Sequence, residues 1–165
     1  MQNTQWSRLE AMMALLSPAA RHGTGALARL MRTLDELPKP TLARVHGAAF
    51  GGGVGLVACC DIAIGVPEAK FGLTESKLGL LPAVISPYVI AAIGPREARR
   101  WFATAEIFDA ATALRIGLVS EITTLEDLWP RAQELATAIA AKPPAATAGS
   151  ALLMRRRLDQ LDRPV

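Results

Sequence analysis

Two features of the chain have residue types and spacing that could support catalysis: a run of three glycines, Gly51 to Gly53, and a single glutamate, Glu75. The glycines stand between two apolar segments, residues 41–45 and 54–60, which we interpret as a strand and a helix. Glycine accepts left-handed backbone angles and lets a ligand approach main-chain N–H groups closely. The free donors and the positive end of the helix point to the same place. The glycine run therefore predicts a binding site for an oxygen atom that is, or becomes, negatively charged.

Glu75 lies in a strongly apolar part of the sequence. Phe71 and Leu73 precede it, and three leucines follow it at positions 78, 80 and 81. A carboxyl group in such company either faces solvent or has a raised pKa that suits it to proton transfer. Both interpretations of Glu75 stay open at this point.

The elements that must position these residues follow from hydrophobic periodicity. A helical pattern over residues 6–16 ends at Ser17-Pro18, and a second amphipathic helix over residues 27–37 ends at Pro38-Lys39-Pro40. After the glycine helix, residues 61–66 and 70–73 are predicted to be short strands. A strand, a helix and a further strand form a right-handed crossover, which indicates an α/β fold.

The second half of the chain is predicted to be mostly helical. Helices are expected over 83–93 and 95–104, and Asp109 caps a short helix that ends at Gly117. A strand over 118–122, a helix over 125–142 and a final helix over 151–158 complete the prediction.

Composition narrows the class of protein. At 165 residues we expect one domain, residues 1–165. Hydrophobic residues make up 51% of the chain and charged residues only 20%, which favours extensive burial and an oligomer interface. The net charge of +3 does not by itself indicate a nucleic-acid partner. Cys59 and Cys60 are adjacent in sequence, and adjacent cysteines do not normally form a disulfide. No signal peptide is evident, and prolines interrupt the longest uncharged run, 78–95. We therefore expect a cytoplasmic protein without a membrane span.

Six motifs in order resemble those of the crotonase superfamily, the enoyl-CoA hydratases and isomerases. They are Pro38-Lys39-Pro40-Thr41, His46-Gly47 with Phe50-Gly51-Gly52-Gly53, Cys60-Asp61-Ile62, Phe71-Gly72-Leu73-Thr74-Glu75, Leu78-Gly79-Leu80-Leu81-Pro82 and Ala113-Leu114-Arg115-Ile116-Gly117-Leu118-Val119. The resemblance implies ββα turns around a spiral of sheet over about residues 27–122, followed by a C-terminal helical segment over about 123–165.

The resemblance also implies a function. Its members bind acyl-CoA thioesters as substrates, and we expect neither a cofactor nor a metal. The Gly52 N–H maps onto the family's oxyanion donor, and Glu75 maps onto its general acid/base. The substrate is expected to lie against five further residues, which are Gly51, Gly53, Gly55, Leu81 and Pro82. The family also implies a homo-oligomer, a trimer or a hexamer.

The sequence departs from the family pattern at Gly55, where the best-known hydratases carry a second glutamate. We expect that this gap leaves room for a bulkier or branched acyl chain. The loop that supplies the family's other oxyanion donor is not recognisable before Leu27, and by comparison with the family we expect the chain to be truncated at both ends. Hydration and double-bond isomerisation both remain open.

Two functions of other classes are also open. One is a catalytically impaired crotonase-like interaction or structural subunit, which the missing loop and Gly55 would explain. The other is RNA binding, which Arg155, Arg156 and Arg157 support poorly. We expect a structural turn or cap at Asp61 and a hydrogen-bonded core histidine at His46.

Overall fold

The computed structural model describes residues 18–150 and Leu153. In chain order its helices and strands are α1 (Pro18–Asp35), β1 (Leu42–Val45), β2 (Ala48–Phe50), α2 (Gly52–Cys59), β3 (Ile62–Gly65), β4 (Lys70–Gly72), a 3₁₀ helix (Thr74–Leu78), α3 (Ser86–Thr104), β5 (Ile107–Asp109), α4 (Ala110–Arg115), β6 (Glu121–Ile122) and α5 (Leu128–Ala140). Residues 144–150 are also helical.

Two small sheets form the α/β core. One has the order β1-β3-β6 and is parallel throughout, and the other has the order β2-β4-β5, with β2 and β4 parallel and β5 antiparallel. The consecutive strands β1 and β2 lie in different sheets, as do β3 and β4, and a helix follows each of these two pairs along the chain. This arrangement confirms the predicted ββα turns.

The glycine run is entered differently from the prediction. The predicted strand over 41–45 corresponds to β1, but a second strand, β2, lies between it and the glycines. The chain leaves β1 at Val45, crosses to the other sheet at His46-Gly47, and reaches Gly51 from Phe50. Two short strands in different sheets cannot be separated from one longer apolar segment by periodicity alone, and the prediction of a single strand before the glycines was wrong.

The register of the second sheet fixes its inner face. Ala49 pairs with Phe71, and Phe71 pairs with Phe108, so these three side chains form one row across the sheet. All three are buried, and the Phe71 and Phe108 rings stack with centroids 5.8 Å apart. The row anchors β4 in the core and so holds the residues that follow it.

Several local predictions are confirmed. Gly94 adopts a positive φ of 77° and breaks α3 immediately before Pro95, as the predicted division into two helices requires. Asp109 accepts a hydrogen bond from the Thr112 N–H at 2.8 Å, and Gly117 has a φ of 84° just beyond α4. Cys59 and Cys60 are not joined by a disulfide bond.

Other boundaries were predicted too widely. Strand β6 contains only Glu121 and Ile122, and α5 is shorter at both ends than predicted. Pro18, expected to end a helix, instead begins α1. The predicted helix over 6–16 lies outside the described residues, as does all of 151–158 except Leu153.

Close packing of helices covers one face of α2. The side chain of Leu27 on α1 lies 3.2 Å from the ideal Cβ position of Gly52. At Gly55, one turn further, the ideal Cβ position falls 2.6 Å from Ile85 Cγ2 and still nearer to Met31 Cε. The expected room at Gly55 is therefore wrong, because Met31 and Ile85 already fill the space.

The apolar excess of the chain is not all buried. Large hydrophobic side chains remain exposed on β2, on β5, at the end of the 3₁₀ helix and in the loop after it, namely Phe50, Ile107, Leu78, Leu80 and Leu81. These exposed residues agree with the expected oligomer interface, which stays a prediction. Among the described residues, no helix is both long and apolar enough to cross a lipid bilayer.

A single methyl group at Gly55 should destabilise the fold. Gly55→Ala overpacks the contact with Met31 and Ile85, at a cost of about 1–3 kcal/mol, which the higher helix propensity of alanine offsets by about 1 kcal/mol. We expect a net loss in the free energy of unfolding, measured by urea denaturation.

Gly53→Ala on the same helix is the matched control, since its ideal Cβ lies 3.8 Å from Ala49 Cβ, an ordinary contact. It should leave the free energy of unfolding unchanged or raise it by up to about 1 kcal/mol. Equal effects of the two substitutions would contradict the packing described here.

Candidate active site

Parallel pairing of β2 with β4 brings the glycine run and Glu75 together. The register pairs Phe50 with Gly72, so both strands end at the same edge of the sheet. Gly51 follows one strand directly and donates its N–H to the Gly72 carbonyl at 2.9 Å. Glu75 lies three residues beyond Gly72, in the 3₁₀ helix that begins at Thr74. The sheet edge therefore joins two features that are more than twenty residues apart in sequence.

Gly51 makes the turn into α2 with a backbone that other residues rarely adopt. Its φ is 51° and its ψ is −117°, and it occupies the N-cap position of the helix. Gly52 and Gly53 form the beginning of α2, where N–H groups have no earlier helical carbonyl to bond. The positive end of the helix dipole lies at the same place. This geometry suits the predicted site for a negatively charged oxygen.

The Glu75 carboxylate lies against this turn. Its Oε1 is 3.1 Å and its Cδ 3.4 Å from the ideal Cβ position of Gly51, so a side chain at position 51 would crowd the carboxylate. The carboxylate is half-buried, and burial raises its pKa above the usual 4.5, opposed in part by a hydrogen bond from its own N–H. Oε2 is buried and accepts no hydrogen bond from any described residue. An unengaged, desolvated carboxylate oxygen is well prepared to accept a proton.

The backbone around Glu75 is held at both ends of the 3₁₀ helix. The Leu80 N–H donates to the Glu75 carbonyl at 3.0 Å, and the Ser76 hydroxyl donates to the Phe102 carbonyl on α3 at 3.4 Å. Gly79 ends the 3₁₀ helix with a φ of 67°. These hydrogen bonds hold the backbone that carries Glu75, and neither of them involves its carboxylate oxygens.

The apolar surroundings expected for Glu75 are only half present. Phe71 and Leu73 are buried, but Leu78 is 74% and Leu81 57% exposed. Pro82 is half-buried. The substrate contacts predicted for Leu81 and Pro82 stay predictions.

The other residues singled out in the sequence lie away from the glycine turn along the chain. Asp61 accepts hydrogen bonds from the Thr41 N–H at 2.7 Å and hydroxyl at 2.8 Å, which ties the starts of β1 and β3 together and confirms its structural role. His46 is exposed, so its assignment to the core was wrong. Arg155, Arg156 and Arg157 lie outside the described residues.

Sequence reasoning missed the three side chains that cover the glycine face of α2, which are Leu27, Met31 and Ile85. The apolar stripe of α1 was recognised, but its periodicity does not reveal what it packs against. Within the part of the chain that the structure describes, no three His, Cys, Asp or Glu side chains are grouped so that they could hold a metal ion.

Comparison with solved structures defines the class of protein. The chain superimposes on an enoyl-CoA hydratase from Shewanella pealeana with a TM-score of 0.82 and 42% identity, over 94% of this chain and 58% of that one. It superimposes on the enoyl-CoA hydratase from Bacillus anthracis with a TM-score of 0.81 and 28% identity, over 86% of this chain and 56% of that one. The fold is the crotonase fold.

The family follows from the sequence comparison. The family model described as Enoyl-CoA hydratase/isomerase matches residues 9–163, and the chain belongs to this family. It is 36% identical over 134 residues to the crotonyl-CoA hydratase of Syntrophomonas wolfei, a match that covers 80% of this chain and 52% of the relative. The chain thus spans about half the length of the curated relatives it matches.

A side chain at Gly51 should damage both the turn and the placement of Glu75. Gly51→Ala forces a non-glycine residue into its φ/ψ region, at a cost of about 1–3 kcal/mol, and brings a methyl group against the carboxylate. We expect a lower free energy of unfolding in urea titrations. Gly47→Ala is the control, because nothing lies within 4 Å of its ideal Cβ; a loss at position 47 as large as that at 51 would rule out this explanation.

The raised pKa of Glu75 should appear as pH-dependent stability. Burial makes ionisation of Glu75 more costly in the folded chain than in the unfolded chain. The contribution of Glu75 to the free energy of unfolding is therefore most favourable below the ordinary pKa of 4.5, and it is lost as pH rises through the folded-state pKa. Glu75→Gln should therefore become progressively more stable relative to wild type as the pH is raised from below 4.5 to neutrality.

Thermal or urea unfolding across this pH range measures the difference in stability between Glu75→Gln and wild type. Glu68→Gln, on an exposed turn between β3 and β4, serves as the matched carboxylate control. A difference between Glu75→Gln and wild type that does not change with pH, or that shrinks as pH rises, would contradict the burial of Glu75.

Proposed function

We propose that the chain acts on acyl-CoA thioesters, with the Gly52 N–H stabilising the enolate oxygen and Glu75 moving the proton on the neighbouring carbon. The observation that carries this proposal is the contact between the Glu75 carboxylate and Gly51 at the start of a glycine-led helix. This contact supports a site in which a proton acceptor and main-chain donors for an anion act at one sheet edge.

The Gly52 N–H would act on the thioester oxygen, where negative charge develops during the reaction. Removing a proton beside a thioester moves an electron pair toward the carbonyl oxygen, which becomes negative. A fixed N–H at a helix start interacts more strongly with that oxygen than with a neutral carbonyl, so it lowers the barrier rather than only binding substrate. Loss of one such donor typically costs about 10²–10³ in rate.

Burial of the Glu75 carboxylate would contribute to catalysis by making it a stronger base. Burial raises the pKa of Glu75, which makes it a stronger base toward the weakly acidic proton beside a thioester. As a base it acts in the ionised form, so the rate of proton removal should rise as pH increases through that raised pKa. The family membership supports a coenzyme A thioester as the substrate.

Hydrogen–deuterium exchange tests this proposal without assuming the complete reaction. The purified chain is incubated with saturated butyryl-CoA in D₂O, and exchange at the carbon beside the thioester is followed by NMR. We expect enzyme-dependent exchange that Glu75→Gln reduces by about 10²–10⁴-fold, whereas Glu68→Gln retains it.

Two results would overturn the proposal. Absence of exchange with folded wild-type protein would exclude enolate formation, and undiminished exchange in Glu75→Gln would exclude Glu75 as the base. Calorimetry with butyryl-CoA then separates the alternatives, since binding without exchange would favour a catalytically impaired subunit that still recognises the thioester.

A further inference from the structure

The 3₁₀ helix that carries Glu75 is not held in place by burial. None of its five residues, Thr74–Leu78, is buried, whereas Leu73, immediately before it, lies in the core. The Glu75 carboxylate adds no tie to another element through its buried Oε2, which has no hydrogen-bond partner among the described residues. The position of the carboxylate therefore depends on the contacts that hold the helix backbone.

Ser76 connects this helix to another element. Its hydroxyl donates a hydrogen bond to the Phe102 carbonyl on α3, with a distance of 3.4 Å between the two oxygens. The bonds from the Gly79 N–H to the Ser76 carbonyl and from the Leu80 N–H to the Glu75 carbonyl lie within one short segment and move with it. In the described part of the chain, no other side chain of the 3₁₀ helix forms a hydrogen bond with another helix or strand.

The Phe102 carbonyl is available to Ser76 because of how α3 ends. The residue after the helix, Ala105, has a φ of 49°, which turns the chain away from the helical path. In a continuing helix the Glu106 N–H would bond to the Phe102 carbonyl, but it donates to the Thr104 hydroxyl at 3.4 Å instead. Helix-end carbonyls without an intrahelical donor are satisfied by side chains or by water. Ser76 supplies that donor.

The end of α3 has a fixed position relative to β4. The Trp101 ring packs against the Phe108 ring with centroids 4.5 Å apart, and Phe108 stacks on Phe71 of β4 at 5.8 Å. Trp101 is buried, so the turn that carries the Phe102 carbonyl is anchored in the core. The Ser76 hydrogen bond thus ties the 3₁₀ helix to an element that is connected by packing to the strand from which the helix emerges.

We propose that Ser76 is a positioning residue for Glu75. Its hydroxyl holds the 3₁₀ helix in the rotation about the Leu73 anchor that keeps the Glu75 carboxylate against the Gly51 turn. Without this hydrogen bond the helix relaxes toward solvent, and the carboxylate loses its approach to Gly51. The inference rests on the proposed function, in which Glu75 is the base, and assigns Ser76 no contact with the substrate.

The substitution Ser76→Ala separates positioning from stability. Ser76 is exposed, and a water molecule can bond to the Phe102 carbonyl once the hydroxyl is gone, so we expect the fold to remain intact. Ser76→Thr keeps the hydroxyl and is the conservative variant. Ser150→Ala is the matched control, because the Ser150 hydroxyl also donates to a carbonyl, that of Ala146 at 2.8 Å, on a different helix.

Titration of the Glu75 carboxyl group by carbon NMR tests the inference without any reaction, with Glu75→Gln identifying the signal. We expect a raised pKa in wild type, Ser76→Thr and Ser150→Ala, and in Ser76→Ala a pKa that falls toward the ordinary 4.5 as the carboxylate gains solvent. Burial and the residue's own N–H are the causes of the shift in wild type, so a change in the pKa of Glu75 reports a change in its burial rather than a lost ion pair.

Exchange on butyryl-CoA gives the second measurement. We expect Ser76→Ala to lower kcat for exchange by about 2- to 10-fold, the range of the net contribution of one hydrogen bond. KM should stay unchanged, because the lost hydroxyl is bonded to α3 and not to the substrate. Ser76→Thr should restore kcat.

Three results would overturn the inference. They are a Ser76→Ala variant in which only the free energy of unfolding changes, a Ser150→Ala variant with an equal shift in the pKa of Glu75, and a wild-type Glu75 pKa at or below 4.5. Absence of exchange in wild type, together with a pKa of Glu75 that responds to Ser76→Ala, removes the proposed function and leaves the positioning of Glu75 by Ser76 in place.

Discussion

The packing of α1 against the glycine face of α2 is the contact on which the rest of the site depends. Leu27 and Met31 are four residues apart on α1 and meet Gly52 and Gly55, which are three residues apart on α2. Since glycine has no Cβ, the two helices approach more closely than larger residues would allow. The same absence of side chains allows Ile85, just before α3, to reach α2. Two helical regions, α1 and the start of α3, thus converge on a helix of eight residues.

The second constraint is the parallel register of β2 and β4. Because Phe50 pairs with Gly72, the turn at Gly51 and the 3₁₀ helix that carries Glu75 leave the sheet at the same edge. The hydrogen bond from the Gly51 N–H to the Gly72 carbonyl extends the ladder by one residue and ties the turn to β4. A carboxylate and a helix start, each unremarkable in its own segment, become neighbours through this pairing.

These two constraints have different chemical consequences. The sheet edge brings the Glu75 carboxylate next to the turn at Gly51, where the main-chain N–H groups of α2 begin. The helix packing fills the space beside Gly55 with the apolar side chains of Met31 and Ile85. Among the described glycines, Gly55 is the one whose ideal Cβ position lies nearest to other side chains.

Much of this protein could be derived from its sequence. The order of six motifs indicated the family, and local signals located the Gly94 break, the Asp109 cap and the crossover after Gly51, because caps, breakers and glycine turns act within a few residues. Only the tertiary structure decided that β2 intervenes before the glycines, that the leucines after Glu75 are exposed, and that Gly55 has no free space. Each of these depends on contacts between distant segments, and a glycine's lack of a side chain reveals nothing about which neighbour occupies the space it leaves.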